Sequence, residues 1–262
     1  MNKVTHQLSS ETFAEHCLDA TIAIAVGAGK LTLKHRLRPH VATKRDSSPV
    51  TDADLESNEY ITTQLKALNP EIPIISEESR LADYQTRRNW RRFWLVDPLD
   101  GTKEFVRGSD EFTVNIALVD DLAPVLGVIY LPARDLLYYA TDRRGSWKRI
   151  GARPPVQIFS KVPDLSKGLT VIESKSHPSE ELERYLRNLP IKERATAGSS
   201  LKFCLVAEGV ADIYPRMSPT MEWDVAAGDC IYRNSGRLAP RYSTLTYNKR
   251  DLKNEGFVIG LR

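Results

Sequence analysis

The chain has 262 residues, 41% of them hydrophobic and 27% charged, which allows one large domain or two small ones and argues against intrinsic disorder. A formal net charge of +3 lacks the strong clustered excess of a nucleic-acid-polymer binder but suits a small polyanionic ligand. Three cysteines, Cys17, Cys204 and Cys230, show no metal-ligand spacing, which speaks against a disulfide framework or zinc site and for reduced thiols in a cytosolic protein.

Met1 to Glu15 is polar and has no signal-peptide core, and the apolar run Ala20–Ala28 is far short of the roughly 20 residues of a membrane span. A cytoplasmic location is expected. Ser10 to Leu37 reads as an amphipathic helix, with Phe13, Cys17, Ala20, Ile24 and Leu31 near helical spacing and Ser10 as cap. Lys44 to Pro49 is a polar loop, and Asp52 to Leu68 is a second helix ended by Asn69-Pro70. Ile72–Ile75 is a short strand delivering Glu77-Glu78, and Arg92–Val96 is a strand running into Asp97. Three further runs, Phe112–Val119, Pro124–Tyr130 and Asp135–Tyr139, form an antiparallel meander that Gly145–Trp147 continues.

The pattern changes near Arg153-Pro154-Pro155. Leu169–Glu173 and Ala211–Arg216 read as strands, and Ser179–Asn188, Leu201–Gly209 and Asp224–Ser235 as helices. The expected class is α/β with an α+β N-terminal part. It comprises an N-terminal domain, residues 1–155, with an antiparallel sheet and most metal ligands, and a C-terminal α/β domain, residues 156–262. Metal carboxylates are expected at strand ends in or beside the cleft.

The chemistry concentrates in Asp97-Pro98-Leu99-Asp100-Gly101-Thr102. Hard divalent cations such as Mg²⁺ take oxygen ligands, commonly a few carboxylates plus substrate phosphate. Two aspartates three residues apart on a stiff turn can each face a metal, and the Leu99 carbonyl adds a further oxygen. A helix starting after Gly101 would turn free N–H groups toward a phosphate. Glu77-Glu78 reads either as a solvated strand end or as part of the same site. Asp224, inside Glu222-Trp223-Asp224-Val225, reads either as an N-cap or as a poorly solvated ligand that needs a cation. Val50-Thr51-Asp52-Ala53-Asp54 reads as a helix cap or as the source of an aspartate that orients Thr102 near a metal-bound water. The cluster Arg87-Arg88-Asn89-Trp90-Arg91-Arg92 reads as a solvated edge or linker, with an anionic membrane surface as an open alternative.

In these motifs and their order the chain resembles the inositol monophosphatase superfamily of Mg²⁺-dependent, lithium-sensitive phosphatases. Asp97–Thr102 matches its first signature without departure, Trp223–Gly228 matches its second, and Glu77-Glu78 and Val50–Asp54 match its remaining motifs. Asn234-Ser235-Gly236-Arg237 departs from the alanine–glycine–glycine turn of many relatives. The resemblance implies a layered α-β-α-β-α sandwich. Within the superfamily the chain is most similar to the 3′(2′),5′-bisphosphate nucleotidase branch, through Gly198–Cys204 and Ala211–Arg216.

That resemblance implies hydrolysis of adenosine 3′,5′-bisphosphate to AMP and phosphate in sulfur assimilation, with 3′-phosphoadenosine 5′-phosphosulfate as a second substrate. Glu77, Asp97 and the Leu99 carbonyl would hold one Mg²⁺, and Asp97, Asp100 and Asp224 a second. Thr102 with Asp54 would orient and deprotonate water, with Glu78 assisting near a third metal. The Gly101 and Thr102 amides would hold the scissile phosphate. Ser199, Lys202 and Arg216 would hold the other phosphate, and Ser176-His177 would contact the nucleotide. Lys44 resembles a lysine near the metal-site loop. The expected partner is a small nucleotide, not a nucleic acid polymer, and the protein is expected to be a monomer or homodimer. The rival readings are an inositol monophosphatase or sugar bisphosphatase and, from another class, a catalytically weak nucleotide-sensing protein.

Overall fold

The structure, a computed structural model, describes residues 10–44, 48–175, 179–236 and 243–261. Its centre is a seven-stranded sheet built from β3 (Ile74–Ser76), β4 (Arg92–Asp100), β5 (Thr113–Asp120), β6 (Ala123–Leu131), β7 (Leu136–Thr141), β8 (Gly145–Ile150) and β9 (Val156–Gln157), in that spatial order. β3 runs parallel to β4, and every later neighbour is antiparallel. The expected meander is therefore present, with β6, β7 and β8 longer than expected and β5 displaced by one residue. β4 runs on through Pro98 to Asp100 instead of stopping at Val96.

Strand residues alternate between faces, and β4 and β5 show it residue by residue. Trp94 and Val96 of β4 and Val114, Ile116 and Leu118 of β5 pack toward one layer. That layer is α1 (Ser10–His35) and α2 (Asp52–Leu68); Ala14, Cys17, Leu18, Ala25 and Ala28 of α1 and Ile61 and Leu65 of α2 recur at helical spacing on the buried side. Phe93, Leu95, Ala117 and Val119 face the opposite layer, α6 (Leu201–Ala207) and α7 (Glu222–Arg233). Beyond α6 lie the parallel pair β10 (Leu169–Ser174) and β11 (Ile191–Ala197) and the pair β12 (Tyr214–Arg216) and β15 (Phe257–Ile259). The outermost layer is α5 (Glu180–Leu186), whose Leu182 and Leu186 pack on Leu169 and Val171 of β10. The result is the α-β-α-β-α sandwich. Each large apolar side chain fully buried in it contributes about 1.5–3 kcal/mol.

Short elements complete the chain: β1 (Val41–Thr43) pairs with β2 (Pro49–Thr51), β13 (Thr220–Met221) pairs with β14 (Lys253–Asn254), and α3 (Tyr84–Arg87) and α4 (Thr102–Val106) flank β4. Among the described residues no helix is long and apolar enough to cross a membrane.

Several expectations need correction. Ile191–Ala197 is a strand that the sequence reading lacked, because Lys192, Glu193 and Arg194 interrupt any apolar alternation and lie exposed. The Ala211–Arg216 strand is only Tyr214–Arg216, and the helix from Leu201 ends at Ala207. The arginine cluster is a partly solvated edge, with Arg88 and Arg91 exposed, but two of its members are tied into the fold. Arg87 is buried, donating to Asn248 Oδ1 (3.1 Å) and to the carbonyls of Lys249 (2.7 Å) and Arg250 (2.5 Å). Arg91 pairs with Asp120 and Asp121, and Arg92 with Asp120.

Candidate active site

Parity in β4 and β5 builds the site. Asp97 continues the Phe93–Leu95 phase and Thr113 and Asn115 continue the Ala117–Val119 phase, so all three point toward α6 and α7. The ladder pairs Asp97 with Asn115 and then skips to Asp100 with Thr113. Pro98 and Leu99 fill the irregularity, where Leu99 N–H donates to Asp97 Oδ1 (3.1 Å) and Ser57 of α2 donates to the Pro98 carbonyl (2.8 Å). Gly101 follows at φ +91°, a left-handed conformation open to glycine, and lets the chain turn straight into α4.

Asp54 and Asp224 occupy equivalent places on two other helices. Each is the third residue of its helix, and each Oδ2 accepts the N–H of the capping residue, Thr51 or Met221, at 2.8 Å. Asp224 is thus not the first residue of α7, as the sequence suggested, but caps it from the third position. Asp54 Oδ2 also accepts the Thr51 hydroxyl (2.6 Å), and its Oδ1 accepts the Thr102 hydroxyl (3.1 Å). The expected threonine–aspartate pair is in place. Burial raises the Asp54 carboxyl above the ordinary carboxylate range, against the hydrogen bonds from Thr51 and Thr102.

The carboxylates converge. Oxygens of Glu77, Asp97 and Asp224 lie within 4.8 Å of one another. Burial, then the charges of Glu77, Asp100, Asp224 and Asp54, push the Asp97 carboxyl well above its usual range. Burial and then Asp100 do the same to Asp224. Glu77 is raised by burial, against the opposing pull of Lys44. Lys44 Nζ lies 2.7 Å from Glu77 and 2.5 Å from Glu78, so Glu78 pairs with a lysine at the edge of the cluster. Like charges this close repel strongly in a poorly solvated site. An all-oxygen donor set with excess negative charge fits a hard divalent cation.

Glu77, Asp100, Thr102 and Asp224 line a cleft of about 270 Å³ that Ser199, Lys202, Tyr214 and Arg216 line as well. Lys202 is buried, not solvated, and its Nζ donates to the carbonyls of Ala197 (3.3 Å) and Ser199 (2.5 Å). Burial lowers its ammonium to about 8. Arg216 donates through Nε to the Ser218 carbonyl (3.1 Å). Ser199, at φ +54°, donates to Asp100 Oδ2 (2.9 Å) and bonds Thr113. Ser176 and His177 lie outside the described residues.

Four participants are not among the expected site residues. Ser200, Asn115 and Thr113 bond Asp100 or its neighbours, and Glu111 accepts the Gly198 N–H (2.8 Å) while pairing with Lys175 and Arg134. Polar Thr113 and Asn115 on the inward phase of an otherwise apolar strand were the legible signal.

The chain belongs to the inositol monophosphatase family, whose model matches residues 14–261, and the acidic cluster agrees with the general metal dependence of that family. It is 45% identical over 221 residues to the 3′(2′),5′-bisphosphate nucleotidase CysQ of Salmonella typhimurium, covering 83% of this chain and 87% of that protein. The crystal structure of CysQ from Bacteroides thetaiotaomicron superposes with a TM-score of 0.79 at 37% identity, covering 95% of this chain and 98% of that one. An inositol monophosphatase from Anabaena shares the fold, with a TM-score of 0.71 at 21% identity over 94% and 90% of the two chains.

Proposed function

We propose that this protein is a Mg²⁺-dependent 3′(2′),5′-bisphosphate nucleotidase that hydrolyses adenosine 3′,5′-bisphosphate to AMP and phosphate in the cytoplasm. 3′-Phosphoadenosine 5′-phosphosulfate is its second substrate, and the role is in sulfur assimilation. The observation that carries this reading is one cleft lined both by carboxylates with Thr102 and by the cations Lys202 and Arg216. Such a cleft suits a substrate with one phosphate to cleave and another to hold. The kinship with curated nucleotidases supports the same reading. The inositol monophosphatase alternative is not favoured, since identity to that solved relative is only 21%.

Glu77, Asp97 and the Leu99 carbonyl would hold one Mg²⁺, and Asp97, Asp100 and Asp224 a second. Bound there, the cations supply neutralising charge, a polarised phosphoryl group and an acidified water. Thr102 would orient the attacking water, and Asp54, hydrogen-bonded to the Thr102 hydroxyl at 3.1 Å, would take up its proton. A raised carboxyl accepts that proton more readily than an ordinary one. Thr102 N–H opens the first turn of α4, where backbone donors lack helical partners, and meets the scissile phosphate. Arg216 offers a planar fork and Lys202 a point charge to the second phosphate.

A phosphate-release panel tests the proposal. Adenosine 3′,5′-bisphosphate should be turned over with Mg²⁺ far faster than inositol 1-phosphate or fructose 1,6-bisphosphate, and lithium should inhibit where sodium does not. Good turnover of inositol phosphate without turnover of the adenosine compound sinks the substrate assignment. No release at all with Mg²⁺ points instead to a nucleotide sensor.

A further inference from the structure

Asp100 spends one oxygen entirely on the protein. Its Oδ2 accepts from Ser200 Oγ (2.7 Å), Ser199 Oγ (2.9 Å) and Asn115 Nδ2 (3.4 Å). Ser200 is the junction among these. Its hydroxyl also lies 2.6 Å from the backbone carbonyl of Asp224 and accepts from Asn115 Nδ2 at 2.9 Å. One buried hydroxyl, at the start of α6, therefore touches the carboxylate at the end of β4, the first turn of α7 and the middle of β5. Asn115 is buried as well, and its Oδ1 has no hydrogen-bond partner. A buried amide with one end unsatisfied is unfavourable in a strand whose neighbours are Val114 and Ile116. Its orientation is dictated by Asp100, an acceptor that only the NH₂ end can serve.

We propose that Ser200, backed by Asn115, is a positioning residue that fixes the separation of Asp100 and Asp224 and thereby sets the affinity of the cation these two carboxylates share. The inference rests on the reading above, in which both hold one divalent ion. The logic is that of outer contacts around a metal: hydrogen bonds to a ligating carboxylate determine which oxygen remains free and where it points, and their loss costs 10–100-fold in affinity. Neither Ser200 nor Asn115 needs to touch the ion or the substrate. Both act through Asp100.

Ser146 provides an internal control. It is a second buried serine that donates to α7, through the Ile231 carbonyl (2.5 Å) at the far end of the helix. The experiment titrates metal-free protein with Mn²⁺, followed by calorimetry and by the spin-resonance signal of free Mn²⁺, on wild type, Ser200→Ala, Asn115→Ala and Ser146→Ala. Thermal melts of each metal-free variant check that it is folded. Wild type should bind Mn²⁺. Ser200→Ala and Asn115→Ala should bind one equivalent about 10–100-fold more weakly, while Ser146→Ala binds as wild type even where its melt is lowered. Wild type that binds no Mn²⁺ overturns the metal-site reading itself. Wild type that binds, with Ser200→Ala within twofold of it or with Ser146→Ala equally weakened, overturns the positioning role alone.

Discussion

At the residue scale the dominant fact is repulsion. Asp97 is almost fully buried among like charges, and its carboxyl is pushed well above its usual range. Asp97→Asn should therefore abolish phosphate release, by more than about the 10–100-fold of outer-contact changes, while making the metal-free protein more stable. Each kcal/mol of relieved repulsion should appear as roughly 2–4 °C in Tm. Lys202 supplies a pH prediction. Burial lowers its ammonium to about 8, so the cation is present below that pH and lost above it. KM for adenosine 3′,5′-bisphosphate should rise as pH passes about 8 with kcat little changed, and Lys202→Met should flatten that profile. The same shift affects folding: between about 8 and the ordinary lysine value near 10.4 the unfolded chain holds more protons, so the stability cost of burying this lysine lessens as pH rises through that window. Motif residues such as Asp97, Asp100 and Thr102 were legible because their chemistry is local in sequence. Ser200 and Glu111 were not, since a serine or a glutamate acquires its role only from partners far along the chain.

At the scale of elements, α7 decides where Asp224 sits, and Gly127 decides where α7 sits. A Cβ at position 127 would lie 2.5 Å from the Ala227 carbonyl and 2.7 Å from Cys230 Cβ. Gly127→Ala should cost about 1–3 kcal/mol through overpacking. It should also weaken divalent-metal binding by lifting the helix from the sheet, which a melt and a Mn²⁺ titration would both register. Unchanged metal affinity in a destabilised variant would show that α7 does not carry the site with it. Elements with a bounded apolar run or helical spacing, such as β5 and α2, were readable directly. The strand β11 was not, because it is largely exposed and its charged residues serve solvent and ion pairs, as Arg194 does with Glu173 and Glu183.

At the scale of the whole molecule the site joins residues 54 to 224, so cation binding and folding are linked. A divalent ion at about 100 times its Kd adds about 2.7 kcal/mol to stability, and Mg²⁺ should raise Tm accordingly. The sign of the pH dependence follows from the raised carboxyls of Asp97, Asp224, Glu77 and Asp54. The folded metal-free chain retains protons that the unfolded chain releases above about pH 4. Their contribution to stability is therefore lost as pH rises through the raised values. Melts in chelator should show Tm falling as pH rises above about 4, less steeply in Asp97→Asn and opposed by Mg²⁺. The layered architecture was legible from the motifs and their order. The clasp of Arg87 onto the segment Asn248–Arg250 was not, because a buried arginine satisfied by backbone carbonyls looks in sequence like any other arginine in a basic run.

Asp54 and Asp224 each give one oxygen to closing a helix, while the other oxygen of Asp54 holds the Thr102 hydroxyl and Asp224 lines the cleft. An asparagine in place of Asp54 keeps a carbonyl oxygen for the Thr51 N–H but turns an NH₂ group toward Thr102. Asp54→Asn should thus fold as the parent does and lack the proton acceptor, which makes it a natural trap. Soaked with Mg²⁺ and adenosine 3′,5′-bisphosphate, its crystals should hold the nucleotide uncleaved, and free phosphate in the drop would show that the proton leaves by another route.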